Sequence, residues 1–415
     1  MSATTRVLIG LAAGAVIGLL LAGWNETVAL QVANVAQPIG KLWLNALQMT
    51  VVPLVLALVV VGVNTATDAA ASGRIARRAI VVFIVVLSGG ALFAALAAPL
   101  VFSLFPHNPA LITALDHASV PAAVQAAPNW IDTLVAIVPN NAIMAAAQSA
   151  MLPLVVFALF LGFALTRIEA KRRALLMEFF QAVADAMIVI VRWVLWIAPL
   201  GVFALILSVC ARSGLGMLSA LGVYVLVECL LYLSVTAMML PLAVAFGGEK
   251  LRRFALALVP AQVVAISTQS SLASLPAMLE SADRRLGYPQ QVAALVLPMA
   301  VSLFRLTSPV QYVTSAVFIA WAYGIDLGTA QLLAGALLAV VISLGSVGLP
   351  GQVTFIATNL PVAQAMGLPL SPLGLMLAVD TIPDALATLG NVTGDMTATS
   401  VVARQSRGDL GRALP

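Results

Sequence analysis

Hydrophobic and polar positions in this chain fall into long blocks. Apolar runs near 5–24, 38–64, 78–104, 150–167, 175–210, 217–246, 290–323 and 372–403 are separated by short polar stretches. A helix needs about 20 apolar residues to cross a bilayer, so these runs predict eight spans. Several exceed the minimum and are expected to be tilted or broken. Two further apolar segments, near 256–280 and 331–368, are interrupted by polar and helix-breaking residues.

Composition strengthens that picture. Of 415 residues, 62% are hydrophobic and only 9% charged, against about 25% charged in a soluble domain. The expected class is an all-α polytopic membrane protein. The net charge of +4 does not indicate nucleic-acid binding, because the basic residues form short clusters between apolar runs, with no basic face or aromatic platform. The clusters set the topology instead. Arg74, Arg77 and Arg78, then Lys171, Arg172 and Arg173, then Lys250, Arg252 and Arg253, then Arg284 and Arg285, and finally Arg404, Arg407 and Arg412 fall on one set of loops. The alternate loops, 25–37, 105–129 and 324–330, have no Lys or Arg. The positive-inside rule then makes both termini cytoplasmic, in the cell (inner) membrane. Arg212 is the one basic residue out of step. The first apolar run reads as a membrane helix and not a cleavable signal.

That topology requires 256–280 and 331–368 each to enter and leave on one side, as re-entrant hairpins. The first is polar at its centre, Ser267-Thr268-Gln269-Ser270-Ser271; the second carries Gly345, Gly348, Pro350 and Gly351. Irregular backbone at membrane depth survives only inside protein or beside water. Two broken hairpins entering from opposite faces form the pattern of an inverted-repeat transporter. The alternative is a pair of kinked helices.

The last span supplies candidate chemistry. Asp380, Asp384, Thr388, Asn391 and Asp395 are spaced by four, four, three and four residues, which makes one stripe on a helix. Carboxylates within the membrane mark an ion or substrate path, although Asp380 also reads as a capping residue at the membrane edge. In the seventh run, Arg305 lies amid apolar residues with no acid near it in sequence. Glu228 and Arg192 read as helix-interface or snorkelling residues. Cys210 and Cys229 suggest neither a disulfide framework nor a metal site, and His107 and His117 read as solvated loop residues. No paired nucleophile and base, HExxH or phosphate loop points to an enzyme.

Taken together, NVTGD in the last span, SSLASLP in the first hairpin, GLPG in the second and MTVVPLVLALVVVGV in the second span resemble the dicarboxylate/amino acid:cation symporter family, in order and over nearly the whole chain. The resemblance implies a homotrimer and an elevator movement. Residues 1–76 and 130–212 would form the trimerisation scaffold, and 77–129 with 213–415 the transport domain. It also implies substrate contacts at Ser270 and Ser271 in hairpin one, Gly351 in hairpin two, and Asp384, Ala387, Thr388 and Asn391 in the last span, with Asp384 holding an amino group. Two carboxylate clamps of the family are missing: Ala387 and Gln269 stand where members carry arginine.

The cation sites also depart from the family. Its Asn-Met-Asp-Gly-Thr motif falls on Phe304, Arg305, Leu306, Thr307 and Ser308, and its third-span tyrosine and threonine ligands fall on Phe83 and Val86. One sodium site thereby loses its side-chain oxygens, and sodium needs oxygen ligands in place of water. A second keeps Asn391 and Asp395. A third, near Ser302, Ser343 and Ser346, is built largely of backbone carbonyls. No cofactor is expected beyond a sodium ion there. Arg305 then has three readings: a tethered substitute for sodium beside Asp395, a clamp for a substrate carboxylate, or a structural residue. The expected function is symport of a small amino acid or dicarboxylate with sodium or protons, with sodium coupling reduced. The alternatives are an uncoupled uniporter or anion-conducting channel on the same scaffold, and a non-transporting sensor. The partners expected are this substrate, the bilayer and copies of the chain, without nucleic acid.

Overall fold

The computed structural model describes residues 3–71, 73–106, 138–148, 150–213, 215–345 and 351–410, and every regular element among them is helical. In chain order these are α1 (Ala3–Trp24), α2 (Glu26–Gln48), α3 (Val51–Ala71), α4 (Arg74–Phe102), α5 (Ala142–Ala147), α6 (Met151–Leu165), α7 (Ala170–Trp196), α8 (Ala198–Ser213) and α9 (Leu215–Ala245). Then come α10 (Leu251–Thr268), α11 (Ser271–Glu280) with a π turn at Ser281–Leu286, α12 (Gln290–Leu303), α13 (Thr307–Tyr323), α14 (Thr329–Gly345), α15 (Gly351–Ala365), α16 (Leu373–Val379) and α17 (Thr381–Leu410).

The apolar blocks become helices, but four boundaries differ from the sequence reading. The loop expected at 25–37 is helical, because the Asn25 side chain caps α2 by accepting from the Thr27 and Val28 amides at 2.9 and 3.2 Å. The run at 175–210 divides at Ile197 into α7 and α8. The run at 290–323 divides at 304–306, where Phe304 takes an extended conformation. The run at 372–403 bends by 73° between α16 and α17. Among the described residues, six helical stretches are long and apolar enough to cross a membrane, or seven with the bent pair. The predicted spans near 5–24 and 150–167 are represented by the shorter apolar helices Ile9–Trp24 and Pro153–Leu165. Leu251–Thr268, the first arm of the 256–280 segment, is itself of spanning length.

Two groupings organise the packing. α8 lies between α1 and α2, and α3 packs on α6 and α7. α17 lies at the centre of the other grouping, against α9, α10, α12 and α4, and is buried along nearly its whole length up to Ala403. Between membrane helices the driving force is close packing and hydrogen bonding. Small residues on α17 allow the closest approach. A Cβ at Gly390 would sit 2.6 Å from Thr307 and 2.7 Å from Thr236, and one at Gly394 would sit 3.1 Å from Leu306. α17 therefore lies tight against the interruption between α12 and α13.

Candidate functional site

Three interruptions in regular backbone meet α17. The first is the turn between α10 and α11. Gln269 ends α10 in the left-handed region at φ 50°, and Ser270 caps α11 by accepting from the Ala273 amide at 3.2 Å. Gln269 Nε2 donates to the Thr381 carbonyl at 3.1 Å, and Gln262 Nε2 donates to Thr393 Oγ1 at 3.0 Å. The turn holding Ser270 and Ser271 is thereby fastened to the start of α17.

The second is residues 304–306. Phe304 stacks on Phe83 of α4, with centroids 4.8 Å apart and planes 12° apart. Both rings are buried, as is Leu306. An aromatic and aliphatic cluster therefore fills the space between the positions that the resemblance assigns to sodium ligands. The helix restarts at Thr307, whose amide and hydroxyl both donate to Asn391 Oδ1 at 2.9 Å. Asn391 thus caps α13 from a neighbouring helix, and both lone pairs of its oxygen are used. Ser343 of α14 is buried and donates to the Arg305 carbonyl at 3.4 Å. Ser302 is exposed, and its hydroxyl turns back to the Pro298 carbonyl. Ser302 and Ser343 therefore flank opposite sides of the interruption. Ser346, Gly348 and Pro350 lie outside the described residues, as do His107, His117 and Arg412, and Gly351 is the first residue of α15.

The third is the bend at Asp380. The sequence stripe is intact: Asp380, Asp384, Thr388, Asn391 and Asp395 are all buried. Asp380 stands at a cap position between α16 and α17, but it is not solvated: its side chain is fully buried and Oδ1 accepts from Gln311 Nε2 at 2.7 Å. Its backbone carbonyl accepts from the Asp384 amide at 2.9 Å, which starts α17 directly after the bend. Thr388 donates to the Asp384 carbonyl at 2.8 Å, within its own helix. Ala387 packs in the core beside it.

Arg305 is half-buried at the second interruption. Its charge acts on Asp380, Asp384 and Asp395 together. Direct pairing with Asp395, the contact expected of a tethered cation, is not made. Both Asp395 oxygens are buried and accept no hydrogen bond. A carboxylate in that condition is incomplete and has room in its coordination for a cation or a proton. Among the described residues, no group of three His, Cys, Asp or Glu side chains is arranged to hold a metal.

The sequence reading missed several residues. Thr307 and Gln311 are ordinary polar residues until the fold sets them on Asn391 and Asp380. Glu228 lies inside a helix interface and does not snorkel: it is fully buried with Oε1 accepting from Tyr232 at 2.9 Å, and what the sequence reading left out is its electrostatic link to Asp380. The signal available was its charge inside an apolar run.

Comparison with known proteins places this arrangement. The profile of the sodium:dicarboxylate symporter family matches residues 3–405. The proton/glutamate-aspartate symporter of Escherichia coli (strain K12) is 29% identical over 415 residues, covering 99% of this chain and 94% of its own. The proton/sodium-glutamate symport protein of Geobacillus stearothermophilus is 28% identical over 404 residues, covering 96% and 93%. Neutral amino acid transporter A of Homo sapiens is 29% identical over 428 residues, covering 93% and 78%.

Proposed function

Because the chain belongs to the sodium:dicarboxylate symporter family, and is thus a multi-pass membrane transporter and not an enzyme, we propose that it moves a small amino acid or dicarboxylate by symport, with sodium coupling reduced. Relatives named for glutamate and aspartate, and for neutral amino acids, bracket the substrate. Ala387 favours a neutral or larger side chain, because no guanidinium stands at that position to pair with a second carboxylate. Asp384, buried after the bend with no hydrogen bond to its carboxylate, is the group for the substrate's ammonium.

The observation that carries the reduced coupling is the Phe83–Phe304 stack beside Leu306. Two stacked rings offer no oxygen to a hard cation. Arg305 supplies fixed positive charge near Asp384 and Asp395, and a guanidinium does not deprotonate. A second reading has its own support: Arg305 is partly exposed and could take a substrate carboxylate, which would keep an acidic substrate. In the same proposal, 1–76 with 130–212 forms the scaffold of a homotrimer and the rest moves.

The test is uptake of labelled amino acids and C4-dicarboxylates into proteoliposomes under an inward sodium gradient, an inward proton gradient, or neither. Accumulation with protons and little with sodium is expected. Strong sodium-driven accumulation would overturn the reduced coupling. Saturable equilibration without any gradient would identify a uniporter, anion current a channel, and binding without flux a sensor. Arg305→Met is expected to increase sodium dependence. If it instead abolishes only acidic-substrate binding, Arg305 is the clamp.

A further inference from the structure

A second polar cluster lies between α9, α13 and the α16–α17 bend, and the site described above does not use all of it. Its core is Glu228 and Asp380, both fully buried. Glu228 Oε1 accepts from the Tyr232 hydroxyl, with the Tyr224 hydroxyl close by the same carboxyl, and Asp380 Oδ1 accepts from Gln311 Nε2, so the donors are neutral. The other oxygens, Glu228 Oε2 and Asp380 Oδ2, are buried without any hydrogen bond. The charges of the two side chains interact, and those of Asp384 and Arg305 also act on Asp380. A separate orphan stands nearby: Thr314 Oγ1 is fully buried and unpartnered, one turn past Gln311 on the same face of α13.

The surrounding charges do not neutralise the pair. α9 adds Tyr224, Tyr232 and Cys229, and Tyr224 shares a hydrogen bond with Ser315 of α13 at 3.2 Å. α17 adds Asp384. Among the described residues, Arg305 is the cation that acts on Asp380, and Asp395 draws on it too. α16 has no titratable side chain. The basic residues of α4 and α10 belong to the end of the bundle marked by Ala245, whose carbonyl binds Arg404. Ala245 is about 25 Å along α9 from Glu228 at helical rise. Cys210 of α8 faces α1 at Gly18. Two dehydrated carboxylates that feel each other's charge are penalised both by lost hydration and by mutual repulsion. The unpartnered oxygens are too few to replace a sodium hydration shell. A proton on one of these carboxyls removes one charge and turns an unpartnered acceptor into a donor.

We propose that Glu228 and Asp380 form a proton-binding site, apart from the substrate contacts assigned to Asp384, Thr388 and Asn391, through which a proton replaces a lost sodium as the coupled ion. This rests on the transporter reading, so the test has an arm that needs no transport. Infrared spectra of the purified full-length protein are recorded against pH, reading the carbonyl band of protonated carboxyls. Wild type is expected to show a titrating band that Glu228→Gln or Asp380→Asn removes or displaces. Tyr232→Phe keeps both carboxyls but deletes a donor, and is expected to move the titration while the protein stays folded. An unchanged titration in all three variants would overturn the site. So would a band in wild type that added sodium chloride, but not pH, removes. In proteoliposomes, one pH unit of inward gradient drives about tenfold accumulation for one coupled proton; Glu228→Gln is expected to abolish that accumulation and leave exchange of labelled substrate. Full proton-driven accumulation in Glu228→Gln would overturn the coupling role. A titrating band without any wild-type uptake would uphold the site and retire the transporter reading.

Discussion

The two halves of α13 have opposite chemistry at equal burial. At its start, Phe304 stacks on Phe83 and Leu306 packs under Gly394, with the backbone amide of Thr307 tied to Asn391. One and two turns on, Gln311, Thr314 and Ser315 meet Asp380 and Tyr224, and beyond them Glu228. The first half is dry and fully satisfied. The second leaves carboxyl oxygens without partners. In a membrane interior an unsatisfied carboxyl is expensive to keep, which is the ground for the proton site proposed above. On that reading, cation chemistry in this chain would be displaced along the helix, away from the stacked rings.

The largest expected effect tests whether substrate chemistry belongs to neither half but to α17 between them. Asp384→Asn keeps the shape and removes the charge. Loss of a buried charge partner for an ammonium is about 2–5 kcal/mol, on the order of thirtyfold or more in affinity, measured by calorimetric titration with the transported substrate. Unchanged affinity would move the ammonium site off α17. The next effect tests the dry half. Phe304→Ala empties a fully buried ring site, and about 3–5 kcal/mol of stability is expected to go, read as a lowered Tm in detergent. Of this, stacking on Phe83 accounts for about 0.5–1.5 kcal/mol, so Phe83→Leu should cost less than Phe304→Ala. Equal and small losses would mean that the rings do not support the interruption.

How much of this was legible in the sequence follows from distance along the chain. The spans were legible because length and hydropathy are local. The stripe from Asp380 to Asp395 was legible because helical spacing is local too. The interruption at 304–306 was passed over: Pro309 has no amide N–H for the Arg305 carbonyl and sits in the first turn of α13, a local signal, while the acceptor that satisfies the restart is on Asn391, eighty-four residues away from Thr307. The same holds for the 73° bend at Asp380, stabilised by Gln311 and by Gln269 from two other elements. Glu228 was undervalued for the same reason: an isolated acid reads as an interface residue until Asp380, far along the chain, is placed beside it. The helix at 26–48 was a local miss, because Asn25 is a legible cap that was passed over in favour of the charge pattern.

The smaller effects separate the cap from the packing at the start of α13. Thr307→Val removes the hydroxyl donor while the amide still reaches Asn391, and the buried oxygen keeps one partner of two. About 1–2 kcal/mol is expected. Gly394→Ala places a methyl 3.1 Å from Leu306 and 3.2 Å from the Phe304 ring. The leucine side chain can give by a few tenths of an ångström, so overpacking there is expected at about 1 kcal/mol, the low end for an added buried methyl. The pair is informative as a cycle. If the interruption is one tightly packed unit, the double variant departs from additivity by at least about 0.5 kcal/mol, because contacting residues couple. Additive losses would mean that Asn391 holds the end of α13 independently of the packed rings, and the dry half of the helix would then be two devices set side by side.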